Sequence, residues 1–198
     1  MKLTTLLLAA TALLGACGSP GPSPALYQLR ATPPLPVVAV ATNQVLLLLG
    51  PVLLPEVLER DALLVPQGQA GVQALAGHRW AEPLRDAVPR LLRQDLAAML
   101  GDARVWSAPL PPGVVATRQL RVEVLALQAN AARTAVTLQA RWTLAAVAGA
   151  TDMAAAAPPR VQTTLIEVPS TGPEPDALVA AHRLALWRLA EQVAAALR

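Results

Sequence analysis

The sequence has 198 residues, of which 54% are hydrophobic and 15% are charged, and its formal net charge is +3 at pH 7. Fifteen of its sixteen basic residues are arginines spread along the chain, so the balance indicates no basic face and we expect no nucleic-acid partner. The length suffices for one domain with its own hydrophobic core.

The first predicted element is a secretory signal over residues 1–16. Lys2 supplies a positive start, and an apolar stretch from Leu3 to Leu14 follows it. This stretch is shorter than the roughly 20 apolar residues that cross a bilayer, and no stop-transfer pattern follows it. The sequence therefore predicts a signal that is removed, not a permanent membrane span.

The signal ends in Leu14-Gly15-Ala16-Cys17, which resembles the lipobox of bacterial lipoproteins. Cys17 is the only cysteine in the chain, so it has no intrachain disulfide partner. We expect Cys17 to become the lipidated N-terminus, whose palmitate-type acyl chains suffice as a membrane anchor. Gly18 stands where an aspartate retains lipoproteins at the inner membrane, which favours the periplasmic face of the outer membrane.

A tether rich in glycine and proline is predicted over residues 17–25, followed by a single domain over residues 26–198. Early in this domain, an apolar run over Val37–Leu49 is too short to span a membrane and favours a buried strand that ends at Gly50-Pro51. A short helical turn is predicted after Pro55. Strands in this half are predicted at residues 26–31, 37–49, 62–66 and 72–78, the last two joined by a hairpin at residues 67–71.

The periodicity changes to a helical one from Pro83 to Leu100, with Gly101 as the stop signal and Pro89 as a kink or a later start. A second helix is predicted from Pro173 to Leu197, its charged residues Arg183, Arg188 and Glu191 pointing away from its apolar stripe. Further strands are predicted at residues 104–107, 120–127, 134–146 and 161–168, with a loop at residues 149–159. This order predicts an α+β fold, a mostly antiparallel sheet with two main helices packed on one face.

Residues that could carry chemistry are sparse. His78 and His182 have neither a carboxylate nor a second histidine at ligand spacing, so no metal site or other cofactor is expected. Two carboxylate pairs are candidates for acid–base work, but side chains of this kind on helix surfaces and ends are usually solvated. These pairs are Asp95 with Asp102 and Glu56 with Glu59. The sequence contains no nucleophile motif or phosphate-binding loop, and we predict that the protein is not an enzyme.

The most distinctive local pattern is the heptad His78-Arg79-Trp80-Ala81-Glu82-Pro83-Leu84 before the first helix. A purely structural interpretation makes Trp80 a core anchor and has Glu82 and Pro83 favour the helix start. Together with Tyr27-Gln28-Leu29 and the stretch from Leu49 to Arg60, however, the heptad resembles the ABC-type transport auxiliary lipoprotein family. The family-motif residues, structural or interfacial in role, are Gly50, Pro51, Pro55, Arg60, Arg79, Trp80, Glu82 and Pro83.

The resemblance implies a non-enzymatic accessory role beside an MCE-domain (PqiB-like) protein in lipid transport between the inner and outer membranes. It also implies docking on that protein at the outer membrane, with a homo-oligomeric ring as one arrangement, and it brings no catalytic residues. A stand-alone periplasmic lipid-binding carrier is the alternative, and it would need a hollow lined by residues such as those of Val45–Leu49. A hydrolase is a weaker alternative.

Overall fold

The computed structural model describes residues 23–40, 46–147 and 158–197. The predicted signal, Cys17 and most of the predicted tether and of the loop at residues 149–159 therefore lie outside the described residues. The elements are β1 (Ala25–Tyr27), β2 (Leu47–Leu53), a 3-10 turn (Glu56–Glu59), β3 (Ala62–Gln67), β4 (Gly71–Trp80), α1 (Leu84–Leu100), a second 3-10 turn (Asp102–Arg104), β5 (Val105–Ser107), β6 (Arg118–Ala129), β7 (Ala135–Ala146), β8 (Arg160–Pro169) and α2 (Pro175–Ala195).

The strands form two sheets. The five-stranded sheet has the order β5-β2-β6-β7-β8, in which β2 is parallel to both neighbours and β6, β7 and β8 form an antiparallel meander. The three-stranded sheet has the order β1-β4-β3, with β1 parallel to β4. The α+β class is confirmed, but the sheets are mixed. Parallel pairing needs a long connection, and the chain between β2 and β6 supplies one in the β3–β4 hairpin and α1.

Both α-helices pack on the same face of the five-stranded sheet, as predicted. Helix α1 contacts β2 and β5, α2 contacts β6, β7 and β8, and the helices contact each other. The strands turn every second residue toward this helical layer, which makes one face of the sheet apolar and leaves the other solvated. Large side chains that are fully buried include Trp142, Trp187, Leu47, Leu91, Leu92, Leu96, Leu120, Leu127, Leu138, Leu178 and Leu186.

Strand β2 differs from the prediction that a strand ends at Gly50-Pro51. It runs from Leu47 to Leu53 and passes through both residues. Its pairing with β6 shifts register between Leu49 and Val52, which places Pro51 in an irregular part of the ladder. A proline, which has no N–H to donate, is tolerated inside a sheet at such an irregularity.

Other predicted bounds hold with smaller changes. Strand β1 begins at Ala25, the last residue of the predicted tether, and ends at Tyr27, well before residue 31. Helix α1 begins upstream of Pro89 and continues through it, so this proline does not set the helix start. Arg133, which directly precedes the strand predicted at residues 134–146, occupies the turn before β7 with a φ of 58°.

Candidate docking groove

The two histidines lie in different environments, neither of which forms a metal site. His182 is buried in α2, where its Nδ1 donates a hydrogen bond to the Leu178 carbonyl over 2.7 Å and its ring meets Trp80 edge-on at 5.6 Å. Burial lowers the pKa of His182 below its ordinary value, which keeps the ring neutral. His78 accepts or donates a 2.9 Å hydrogen bond with the Tyr27 hydroxyl. No cluster of metal-ligating side chains occurs among the described residues.

Asp95 corrects the expectation that the candidate carboxylates are solvated. Its side chain is buried between the helices and accepts two hydrogen bonds from Arg183, of 2.6 and 2.8 Å. Burial raises the pKa of Asp95, and the Arg183 guanidinium opposes that rise. Arg183 was predicted to point away from the apolar stripe and is buried instead, because the pair neutralises both charges where the helices meet. Asp102, Glu56 and Glu59 are exposed as expected.

Arg183 also ties the N-terminal segment to the helices. Its Nε donates a 2.7 Å hydrogen bond to the carbonyl of Arg30, and its guanidinium lies 5.8 Å from the centre of the Trp187 ring. Leu29, next to Arg30, is buried. The contact therefore fixes the chain just after β1, where the domain begins.

The heptad before α1 joins the three-stranded sheet to the helices. The Trp80 amide donates to the Asp61 carbonyl over 2.7 Å, and the Ala81 amide donates to the Tyr27 carbonyl over 2.8 Å. Arg79 forms a 2.6 Å ion pair with Asp61, and the Trp80 side chain is buried. These contacts support the structural interpretation of this part of the motif.

The remaining heptad residues begin α1. Pro83 is the N-cap residue, and the Asp86 and Ala87 amides donate to its carbonyl. Glu82 forms an ion pair with Arg90, in the second turn of the helix, and accepts a 3.4 Å hydrogen bond from Gln28. The acid near the positive end of the helix dipole and the proline before the first turn thus favour the observed helix start.

The Gly50 and Pro51 pair of the motif has a packing role. A Cβ added at Gly50 would lie 3.0 Å from the Leu120 carbonyl oxygen of the neighbouring strand. Any other residue at this register shift would crowd the neighbouring backbone, so glycine favours the close approach of the two strands. This stretch of the motif therefore shapes the sheet.

Pro55 and Arg60 flank the 3-10 turn, where the Leu58 amide donates to the Pro55 carbonyl over 2.9 Å. Arg60 is exposed, and its side chain makes no hydrogen bond or ion pair with any described residue. It is the charged motif residue for which the fold supplies no internal role. Its surroundings are therefore the best candidate for a functional surface.

Arg60 lines an open groove of about 720 Å³ between the 3-10 turn and the β3–β4 hairpin. Leu64, Val72 and Ala74 form its apolar wall on the hairpin side, and Val57 faces them from the turn. Exposed Glu56 and Glu59 complete the rim. We call this surface the docking groove. It has apolar area and charge for binding, but nothing resembling a nucleophile with a base.

Behind the docking groove, and sharing its lining residues Val57, Arg60, Leu64 and Val72, lies a small cavity of about 30 Å³ that reaches Trp80 and His182. Pockets for small molecules are usually about 300–1,000 Å³. The cavity is thus far too small for an acyl chain. Leu47 and Leu49, named for a lipid hollow, are buried in the sheet core.

Comparison with known proteins agrees with the motif. Residues 27–194 match the family of the ABC-type transport auxiliary lipoprotein component. The chain belongs to this family. The family is described as an auxiliary component of transport, and a lipoprotein family indicates an envelope protein anchored to a membrane. None of the described helices is long and apolar enough to span a bilayer.

Solved structures share the fold of this auxiliary lipoprotein at low sequence identity. A crystal structure of an uncharacterized protein superimposes with a TM-score of 0.69 and 18% identity, covering 89% of this chain and all of the other. A Xanthomonas campestris protein of family DUF330 gives a TM-score of 0.65 and 17% identity, covering 86% of this chain and 92% of its own. A search of curated proteins finds no match.

Proposed function

We propose that this protein is a non-enzymatic accessory subunit of an MCE/ABC-type lipid transport system that links the inner and outer membranes and supports envelope integrity. It works at the periplasmic face of the outer membrane, anchored through a lipidated Cys17. The family match over residues 27–194 carries this proposal. The outer-membrane placement is supported by Gly18, which replaces the inner-membrane retention signal.

Docking, rather than lipid carriage, is the activity that the geometry favours. A carrier must enclose at least one acyl chain, whereas the docking groove is open to solvent and the cavity of about 30 Å³ behind it is far below the roughly 300–1,000 Å³ of ligand pockets. Transport would therefore pass through the partner while this domain positions that partner at the membrane. The partner we propose is an MCE-domain protein, met by one copy or by a ring of copies.

The docking groove has the features of a protein-binding surface. Exposed Val57 and Val72 give it apolar area, and Arg60, which pairs with no residue of the described ranges, gives it a charge that can become desolvated against a partner carboxylate. Arginine and apolar side chains at the centre of an interface commonly carry most of its binding energy. We therefore place the contact with the MCE protein in this groove.

Affinity capture from native membranes tests both parts of the proposal. Tagged full-length protein should recover an MCE-domain protein, identified by mass spectrometry after mild detergent extraction. Val57→Asp and Arg60→Glu should each reduce that recovery at least tenfold, because a polar group or reversed charge is then buried against the partner. Both changes lie on the surface, so the free energy of unfolding should move by no more than about 0.5 kcal/mol.

Matched controls lie on the solvated face of the five-stranded sheet. Val161→Asp and Arg121→Glu make the same chemical changes at exposed positions away from the groove and should recover the partner normally. If the unchanged protein captures no MCE-domain protein, the transport role is contradicted. Equal recovery by the groove variants and the controls would exclude the groove while leaving the role intact.

A further inference from the structure

The β3–β4 hairpin carries no charge over residues 62–77, although much of it faces solvent. Every residue of its tip, from Gln67 to Gln73, is exposed, and the Val72 side chain is 52% exposed. Positive φ at Gly68 shapes the tight turn. A solvent-facing tip made only of alanine, glutamine, glycine and valine can leave water without burying a charge.

The pairing of β1 with β4 brings the N-terminal segment, which leads back to Cys17, into the sheet from the side of this tip. Strand β1 is parallel to β4, with Ala25 beside His78 and Tyr27 beside Trp80. The chain that precedes Ala25 therefore starts at the side of β4 that leads back to Gly71 and the turn. The first described residues, Ser23 and Pro24, are exposed there and lead toward Cys17.

The lengths agree with contact between the tip and the anchoring membrane. Strand β3 extends five residues from Ala62, which pairs with Arg79, to Gln67 at the turn, a length of about 17 Å. From Ala25 back to Cys17 is eight residues, which span at most about 29 Å when extended. A lipidated Cys17 would therefore keep the start of β1 within about 29 Å of the bilayer. The hairpin, about 17 Å long, spans more than half of that distance.

From these three observations we infer that the tip of the β3–β4 hairpin, residues 67–73, rests in the headgroup region of the membrane that holds Cys17. This inference depends on the lipidation of Cys17, which is part of the proposed function. The contact is interfacial, because the exposed backbone groups of the turn must keep hydrogen-bond partners that the hydrocarbon core lacks.

A lipid surface fits the tip better than a soluble partner does. The tip offers neither an aromatic anchor nor a charge, which protein interfaces use for specificity, and its single large apolar side chain is Val72. Such a surface binds weakly alone. The lipid anchor makes the contact intramolecular, so weak affinity suffices at the resulting high effective concentration.

The proposed membrane contact also determines where the docking groove lies relative to the bilayer. Val72 stands at the boundary between the hairpin tip and the groove. With the tip on the bilayer, the groove opens beside the headgroups, and a partner seated there ends at the membrane surface. The domain would thereby hold the outlet of a transport conduit against the leaflet that receives or supplies its cargo.

Site-specific fluorescence tests this contact. Cys17 is the only cysteine, and acylation blocks its thiol, so an engineered cysteine in the mature lipoprotein is the single labelling site. The anchored protein, labelled with an environment-sensitive fluorophore at Val72→Cys or Ala70→Cys, is reconstituted in phosphatidylethanolamine–phosphatidylglycerol vesicles. Both labels should shift their emission to the blue and be quenched by brominated lipid.

The matched control is Val115→Cys, because Val115 is 62% exposed and lies near the start of β2, the end away from the groove. That label should keep its aqueous emission. Absence of a shift at positions 70 and 72, or equal shifts at all three positions, overturns the inference. A shift that needs added MCE protein assigns the tip to that partner and also overturns it. The vesicles contain no partner, so this assay and the membrane capture fail independently.

Discussion

The helix-covered five-stranded sheet and the three-stranded sheet are built differently. The first buries one face, which includes Trp142, under helices that contribute Trp187. The second contains β4, ten residues long, of which only Leu75 and Trp80 are buried. Stability is therefore concentrated in the large sheet and its helices, while the small sheet presents backbone and side chains for contact. The division separates the part that stabilises the domain from the part where we propose contacts with other molecules.

Two ion pairs show the same contrast. Asp95 and Arg183 join the two helices with side chains that are 1% and 6% exposed. Asp61 and Arg79 join β3 and β4 with side chains that are 66% and 54% exposed. Both pairs have a shortest N–O distance of 2.6 Å, so distance does not distinguish them. Desolvation does, because removing one partner strands a charge only in the buried pair.

The largest expected effect is at the buried pair. Asp95→Ala leaves the Arg183 guanidinium buried without a counter-charge and should lower the free energy of unfolding by about 3–5 kcal/mol. Urea denaturation of the Cys17→Ser protein measures it. The double variant Asp95→Leu with Arg183→Met buries no charge and should recover most of the loss. A double variant as unstable as the single one would contradict this account.

A moderate effect is expected at the register shift in β2. Gly50→Ala places a Cβ 3.0 Å from the Leu120 carbonyl oxygen, and the crowding should cost about 1–3 kcal/mol. Thermal or urea unfolding provides the measurement. Gly172→Ala is the matched control, since a Cβ at Gly172 meets nothing within 4 Å. Equal stabilities for the two variants would remove the packing role assigned to Gly50.

A smaller, pH-dependent effect is expected at His182, whose pKa burial lowers below its ordinary value of 6.5. The unfolded chain binds a proton at this histidine more readily than the folded one, so stability is full above pH 6.5 and falls as the pH drops below it. His182→Leu should flatten this slope in unfolding curves measured from pH 7.5 to 5.5. His78→Gln should preserve it, and a loss of the slope there would reassign the effect.

The smallest expected effect is at the exposed pair. Arg79→Ala removes a solvated ion pair and should change the free energy of unfolding by less than about 1 kcal/mol. Urea unfolding beside the Asp95→Ala variant gives the comparison directly. A loss as large as that of the buried pair would mean that the small sheet is as essential to folding as the helical layer.

Local patterns predicted most elements closely. The hairpin bounds, the helix from Pro83 to Gly101 and the final helix come from alternation, helical periodicity, and proline and glycine at helix ends. These signals arise between residues close in the chain, where one face of an element must be apolar. The prediction was wrong at Gly50-Pro51, where an irregular ladder accommodates a proline that normally ends a strand.

Local patterns could not predict contacts between residues that are distant in the sequence. Asp95 and Arg183 are 88 residues apart, and each resembles an ordinary solvated residue on its own helix. Only the packing of α1 against α2 neutralises them together. The parallel pairing of β1 with β4 likewise depends on which strand the N-terminal segment meets. A helical arginine whose neighbours three and four residues away are apolar is the signal that could have flagged Arg183.

The sequence by itself was enough to predict the α+β class and the family, because each depends on short-range periodicity or ordered motifs; the secretory signal and the anchor at Cys17 stay predictions of the sequence. Tertiary structure decided which motif residues support the fold and which one, Arg60, is left for contact. It also decided that the chain enters β1 from the side of β4 on which the uncharged hairpin turn lies. Both follow from strand pairing and burial, which are set only when distant segments compete for the same surface.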